Sequence, residues 1–389
     1  VQNSPINAQK KIYLNSSGLE SKNISAEWLP KLNIDAQGSY QSDVFKLPIS
    51  LPGVSMKEIP KEQYKATFGV NQLIYDGGIN SALNEKSKFD YFAYNENVET
   101  ALFKLKENVI SLFFNIKLLD KNLDILFNHI GKMTNDRNKY SVLKESGVVT
   151  DALINKIDIE IEKLKQKINS TISDRQSVLT SLTFLTGRNY INAKFAEVKI
   201  QEDAALSELN RPEIKSIEFK QKSLAMANEV NKSVLMPKVA AFAQAGGGSP
   251  NPFNMFETDF SMFWIAGLKM QWDIWDWSKS SRKSEIIESQ INILQTESDN
   301  FKRNLLIESA AYSQDIIKYE NMIKSSMKMI DLQKKVLDEK KIQMENGTAT
   351  VTDYFIEQST FIDLETNLEL QKINLEYSKV KLLNISGNF

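Results

Sequence analysis

The chain has 389 residues, length enough for two or three ordinary domains, with 42% hydrophobic and 25% charged residues. Forty-eight Lys and Arg against forty-nine Asp and Glu give a net charge of −1 and exclude a bulk attraction for nucleic acid or an anionic lipid surface. The lack of cysteine excludes disulfides, thiol nucleophiles and thiolate metal sites.

Nine prolines and fifteen glycines are few for this length and favour long regular elements. No stretch supplies the roughly 18 apolar residues of a membrane-spanning helix, so any membrane contact must be made with strands. Val1 opens the chain without a basic-then-apolar leader, and a removed segment is expected to precede it.

A first helix is predicted from near Pro5 until just before Pro30, since proline suits a first turn and disfavours helix in the residue preceding it. A strand follows over about 31–45. Leu32, Ile34, Ala36, Gly38 and Tyr40 alternate there with Asn33, Asp35, Gln37, Ser39 and Gln41. After a polar loop at 46–62, a second strand is predicted over about 63–75, with Tyr64, Ala66, Phe68 and Val70 on one face. A very long helix starts after Asp76. Val98, Leu102, Leu105, Val109, Leu112, Ile116, Leu119, Leu123 and Leu126 advance by alternating steps of four and three, a heptad seam. Phe103, Ile110, Phe114, Leu118 and Ile125 widen it, as expected of a helix in a ring with a neighbour on each side. A turn centred on Gly147 and a returning helix complete a first unit, 1–187.

The order then repeats over 210–389, beyond an equatorial linker at 188–209. Pro212 and Pro237 lie 207 residues after Pro5 and Pro30; Asp276 and Gly347 lie 200 after Asp76 and Gly147; ISG at 385–387 lies 200 after LTG at 185–187. One offset held across three landmarks marks a tandem duplication. Strands are predicted over about 237–247 and 259–275. In the second of these Phe260, Met262, Trp264, Ala266, Leu268, Met270, Trp272 and Ile274 share a face. Gly246, Gly247 and Gly248, followed by Ser-Pro, read as a loop after a strand. Residues 260–274 suit a tilted transmembrane strand with an extension, and the aromatics Trp264, Trp272, Trp275, Trp277, Phe253 and Phe256 suit a membrane-interface girdle. Four strands cannot close a barrel, and open edges are prohibitive in lipid, so self-assembly is expected. In the second long helix Ile316, Ile323, Ile330, Leu337 and Met344 recur every seven residues, joined by Leu305, Tyr312 and Tyr319.

No phosphate-binding glycine loop ending in Lys-Ser/Thr occurs, and the acidic residues are spread over helix faces. His129 has no second histidine to share a metal and reads as a packing or surface residue. The chain is therefore expected to be no enzyme and to hold neither cofactor nor metal.

WLPKL and LMPKV before the first strands, QLIYDGG and WDIWDWS at the strand-to-helix junctions, ESGVVTDAL and ENGTATVTDYF at the turns, and LTG and ISG at the repeat ends together span nearly the whole chain. In this doubled order the chain resembles the TolC-type outer-membrane efflux protein family. The resemblance implies a mixed fold, an all-α tunnel plus a transmembrane β-barrel. A homotrimer would form a 12-stranded barrel in the outer membrane and a 12-helix periplasmic tube. It further implies an exit duct of a tripartite efflux or type I secretion system, docked on a periplasmic adaptor and through it on an inner-membrane pump. Gly347 and Asp353 match the family's tip turn and an acidic constriction. In the first repeat Leu153 replaces that acid, with Asp151 nearby. The adaptor-docking tips would be Gly147, Val148, Val149, Thr150, Gly347, Thr348, Ala349 and Thr350. The alternative is a soluble periplasmic coiled-coil adaptor or scaffold, whose strands would fold into a small sheet.

Overall fold

The structure is a computed structural model, described for residues 4–45, 59–147, 149–191, 193, 195, 209–254 and 257–387. Six helices and four strands follow one another as α1 (Pro5–Ala26), β1 (Lys31–Tyr40), β2 (Glu62–Tyr75), α2 (Ile79–Glu145), α3 (Asp151–Thr186), α4 (Pro212–Ser233), β3 (Lys238–Ser249), β4 (Ser261–Gln271), α5 (Lys279–Glu345) and α6 (Val351–Ile385). Helix lengths pair off between the halves: 22 and 22 residues for α1 and α4, 67 and 67 for α2 and α5, 36 and 35 for α3 and α6. The chain forms two compact units. One takes residues 1–10, 96–215 and 298–389, the other 11–95 and 216–297.

The second unit holds a four-stranded antiparallel sheet in the order β1-β2-β3-β4. Its register decides which side chains share a face, because opposite residues point the same way and alternate ones point oppositely. Ile34, Phe68, Ala245 and Trp264 line up across the sheet, as do Ala36, Ala66, Gly247 and Met262. On the reverse face Asp35 stands opposite Thr67, and Gln37 opposite Lys65. Ala243, Ala245 and Gly247 of β3 thus lie on the apolar side, and Phe242, Gln244 and Gly246 on the polar side.

Strand ends differ from the alternation. β1 stops at Tyr40, not near 45, because its partner begins at Glu62 opposite it. β4 pairs over Ser261–Gln271, not 259–275, since β3 starts only at Lys238, after Pro237, and leaves residues beyond Gln271 nothing to pair with. Gly246, Gly247 and Gly248 are not a loop but continue β3 to Ser249. Glycine fits because β2 runs too close for a side chain: a Cβ on Gly246 would stand 2.2 Å from the Ala66 carbonyl oxygen.

The first unit is a helical bundle. Leu123, Leu126 and Met133 of α2 pack with Ile157, Ile161, Leu164 and Ile168 of α3 and with Ile362 of α6. Ile116 packs with Leu179 and Leu182, and Phe114 with Ile373 and Val380. Of the heptad seam, Val98, Leu102, Ile116, Leu123 and Leu126 are buried, Ile116 and Leu126 fully. The α5 stripe is only half-buried from Ile316 to Met344. Ser298, Ser309 and Ser326 are among the buried residues of α5, with Ser280, Ile287 and Leu305, and Ser326 donates to Gln371 of α6 at 2.8 Å. Ion pairs tie the helices sideways: Lys117–Glu376, Arg175–Asp120, Arg137–Asp158 and Lys341–Asp136. His129 is a buried packing residue, its Nε2 2.6 Å from Glu365 of α6. Among the described residues no helix is long and apolar enough to cross a membrane.

Candidate functional site

Two regions carry the sequence-predicted functional residues: the sheet surface in one unit and the interhelical turns in the other.

Among the described residues the apolar side of the sheet is largely exposed. Ile34, Phe68, Met262, Trp264, Leu268 and Met270 are all exposed, Trp264 at 78%. Such a contiguous apolar patch marks a lipid or protein interface. The outer edges of β1 and β4 pair with no other described strand. Trp264 sits fourth in β4 on the apolar face, whereas Trp272, Trp275 and Trp277 follow the ladder's end. Trp272 donates its indole N–H to the Leu235 carbonyl at 3.0 Å; Trp275 and Trp277 meet edge-on at 6.0 Å. Phe253 packs edge-on against Phe263 at 5.2 Å. Phe256 lies outside the described residues.

The two turns are built alike at their glycines and differently at their caps. Gly147 and Gly347 both take φ above 70°, the left-handed region that glycine enters without cost. In the second turn the Thr348 N–H and hydroxyl both donate to the Gln343 carbonyl, at 2.8 and 3.0 Å. Thr350 then caps α6. Its hydroxyl accepts from the Asp353 N–H at 3.2 Å, and the Asp353 carboxylate accepts from the Thr350 N–H at 2.9 Å and hydroxyl at 2.7 Å. This reciprocal box satisfies backbone donors that a helix start otherwise leaves orphaned. The Thr350 hydroxyl and N–H, aided by Lys340 and Lys156, hold the Asp353 carboxyl below the ordinary carboxylate range. Thr150, at the start of α3, has the same extended backbone but makes no side-chain cap bond, and Leu153 supplies no carboxylate for the reciprocal one. Asp151 instead forms an ion pair with Lys144 across the first turn. Val149 and Ala349 are half-buried; Thr150, Thr348 and Thr350 are exposed. Val148 lies outside the described residues. Behind the second turn Tyr354 is buried, and burial pushes its hydroxyl well above the usual phenol range. Lys156 of α3 donates to Thr352 of α6 at 2.7 Å, so the starts of the two returning helices meet through side chains.

No family model matches the chain, and no curated protein sequence does. Solved structures do. The outer membrane protein VceC from Vibrio cholerae superposes with a TM-score of 0.71 at 13% identity, over 98% of this chain and 93% of its own. The Campylobacter jejuni CmeC outer membrane channel gives 0.70 at 16% identity, over 99% and 83%. The open state of the Neisseria gonorrhoeae MtrE outer membrane channel gives 0.70 at 15% identity, over 98% and 85%. The fold is that of the TolC-type outer-membrane channels.

Within this TolC-type fold the strand-to-helix junctions carry residues that the sequence marked only as landmarks. Asp76, 5% exposed, accepts from the N–H groups of Gly78 at 2.8 Å and Asn80 at 2.6 Å and so opens α2. Asp276 does the same for Ser280 at 2.7 Å. Between cap and helix the chain makes two left-handed steps. Glycines supply them at Gly77 and Gly78, but Trp277 and Ser278 adopt φ of 56° and 60° in the second half. A side chain in that region costs of order 1–3 kcal/mol. The spacing of Asp to helix start was the available signal; the positive φ of a tryptophan has none.

Proposed function

We propose that the chain is one subunit of a passive exit duct in a Gram-negative outer membrane, with its helical part in the periplasm. The observation that carries this reading is a spanning-length sheet with an exposed apolar face and two unpaired edges, on a fold shared with outer-membrane channels. In hydrocarbon each orphaned N–H or C=O costs several kcal/mol, so such a sheet persists there only when its edges meet other strands. Three copies supply twelve strands and twelve long helices, a barrel wide enough for a lumen continued by a helical tube. A soluble adaptor has no comparable support, because an exposed apolar sheet is a liability in water. The test is extraction. A duct subunit requires detergent and runs at three times its 44.3 kDa mass by native mass spectrometry; a monomer in the aqueous fraction rejects the proposal.

The same reading takes residues 1–187 and 210–389 as two copies of one unit joined by a linker. It places the turns at Gly147–Thr150 and Gly347–Thr350 at the periplasmic end, facing an adaptor that couples the duct to an inner-membrane pump. Cargo moves on energy supplied by the pump. Asp353 from three copies would ring the axis, repel its own kind and attract cations. Asp353→Ala is expected to change cation block of single channels in planar bilayers, with Thr350→Ala controlling for the lost cap. Traces unaltered by Asp353→Ala would remove the gate role while leaving the duct intact.

A further inference from the structure

A cavity of about 320 Å³ opens in the first unit between α2, α5 and α6. Two of the side chains that line it are nearly inaccessible, His129 at 2% and Gln358 at 4% exposure. Each has one polar atom with no hydrogen-bond partner, Nδ1 of His129 and Oε1 of Gln358. Buried polar atoms are rarely left so, because the lost hydration is uncompensated. The imidazole is fixed in place: Nε2 meets the Glu365 carboxylate at 2.6 Å, and the ring packs edge-on to Phe361 at 6.0 Å. The carboxylate keeps a proton on Nε2, which makes Nδ1 the open position.

Around the rim stand four lysines, Lys132 and Lys139 from α2 and Lys334 and Lys341 from α5. Two carboxylates on the lining, Asp136 and Asp338, accompany them, and Glu365 stands behind His129 as a third, so the lysines still outnumber the carboxylates. Asp136 is shared by Lys139 at 4.0 Å and Lys341 at 3.5 Å, so neither cation owns it. Lys132 and Lys334 form no ion pair among the described residues.

We infer that this cavity binds a phosphate-class oxyanion, either the free ion or a phosphomonoester. Charge-assisted bonds from Lys132 and Lys334 to the anionic oxygens are the strong contacts. A hydrogen phosphate also carries a P–O–H, a donor for one of the two acceptors, His129 Nδ1 or Gln358 Oε1. One ordered water would serve those two acceptors, but its share of liquid volume is about 30 Å³, and it leaves the lysines unanswered. A metal ion does not fit: no group of three histidine or carboxylate side chains among the described residues could hold one. The site is independent of the duct reading, since every contributing residue belongs to one chain and one unit.

His129 is the chain's sole histidine, so isotope-labelled histidine gives one imidazole signal at this site. The purified full chain is titrated with inorganic phosphate and, separately, glycerol phosphate, at constant pH and ionic strength. A saturable shift of that signal is expected, absent with chloride; whichever ligand saturates at lower concentration tells the free ion from the monoester. Replacing both exposed lysines, Lys132→Gln with Lys334→Gln, is expected to leave the fold intact and weaken binding at least about tenfold, the loss of one charge-assisted bond or more. A shift that never saturates, that chloride reproduces, or that the double variant leaves at full affinity overturns the site.

Discussion

The two helix starts at the turns form a natural matched pair, because α3 and α6 both follow an extended threonine but only Thr350 caps with its side chain. Thr350→Ala removes the hydroxyl that accepts the Asp353 N–H. Such a change costs about 1 kcal/mol, or about a fivefold rise in local opening. Thr150→Ala removes no cap bond, so opening at the start of α3 should change by less than about twofold. Amide hydrogen exchange read residue by residue over the first turn of each helix is the suitable assay, since it reports local opening without global melting. The pH dependence has a definite sign. The folded pKa of Asp353 is lowered, so its share of the cap is fully present above the unfolded value, near 3.9. That share is lost as pH falls through the folded value. Protection at the start of α6 should therefore hold at neutral pH and fall toward that of α3 only in strong acid. Equal effects of the two threonine variants, or loss of α6 protection near neutrality, would refute the argument.

Trp264→Lys puts a charge on the apolar face of β4 and should destabilise the sheet in lipid by about 2–4 kcal/mol if the position lies near mid-bilayer. Gln37→Lys on the polar face serves as its control, and the folded fraction recovered in vesicles measures both. Leu126, fully buried between α2 and α3, should cost about 2–5 kcal/mol on Leu126→Ala, seen as a lowered unfolding midpoint against the exposed control Phe127→Ala. Ser278→Gly relieves a left-handed serine at the start of α5 and should stabilise by about 1 kcal/mol, measured by exchange over the first α5 turn; destabilisation would show that its side chain contributes more than its backbone costs.

Much of the helical unit was legible because its chemistry is periodic. A heptad seam states which face is buried, and Val98, Leu102, Ile116, Leu123 and Leu126 are buried accordingly. In α5 the same periodicity is weaker. Several of its buried positions are serines, Ser298, Ser309 and Ser326, and a hydrophobicity count passes over such small polar residues. The capping box was partly readable: Thr350 and Asp353 have the right spacing, yet the same aspartate also suited a gate. Spacing cannot separate the roles, since a carboxylate can cap with one oxygen while the other faces elsewhere.

β3 shows why alternation fails where backbones crowd. Its residues are mostly alanine and glycine from Ala240 to Gly248, so neither face declares itself as polar or apolar. The cause lies in the neighbours. Tyr64, Phe68 and Trp264 carry the bulk on β2 and β4, and β3 between them accommodates side chains that lean across it. Gly247 stands where a Cβ would meet the Phe260 ring at 2.4 Å. Information about the face of β3 is therefore stored in β2 and β4 and becomes readable only once the register is known. The same register leaves the outer edges of β1 and β4 without a partner strand among the described residues. On the proposed reading, what closes the sheet is a property of assembly, and the exposed apolar side chains Ile34, Met262, Trp264 and Leu268 are the surface that lipid would cover.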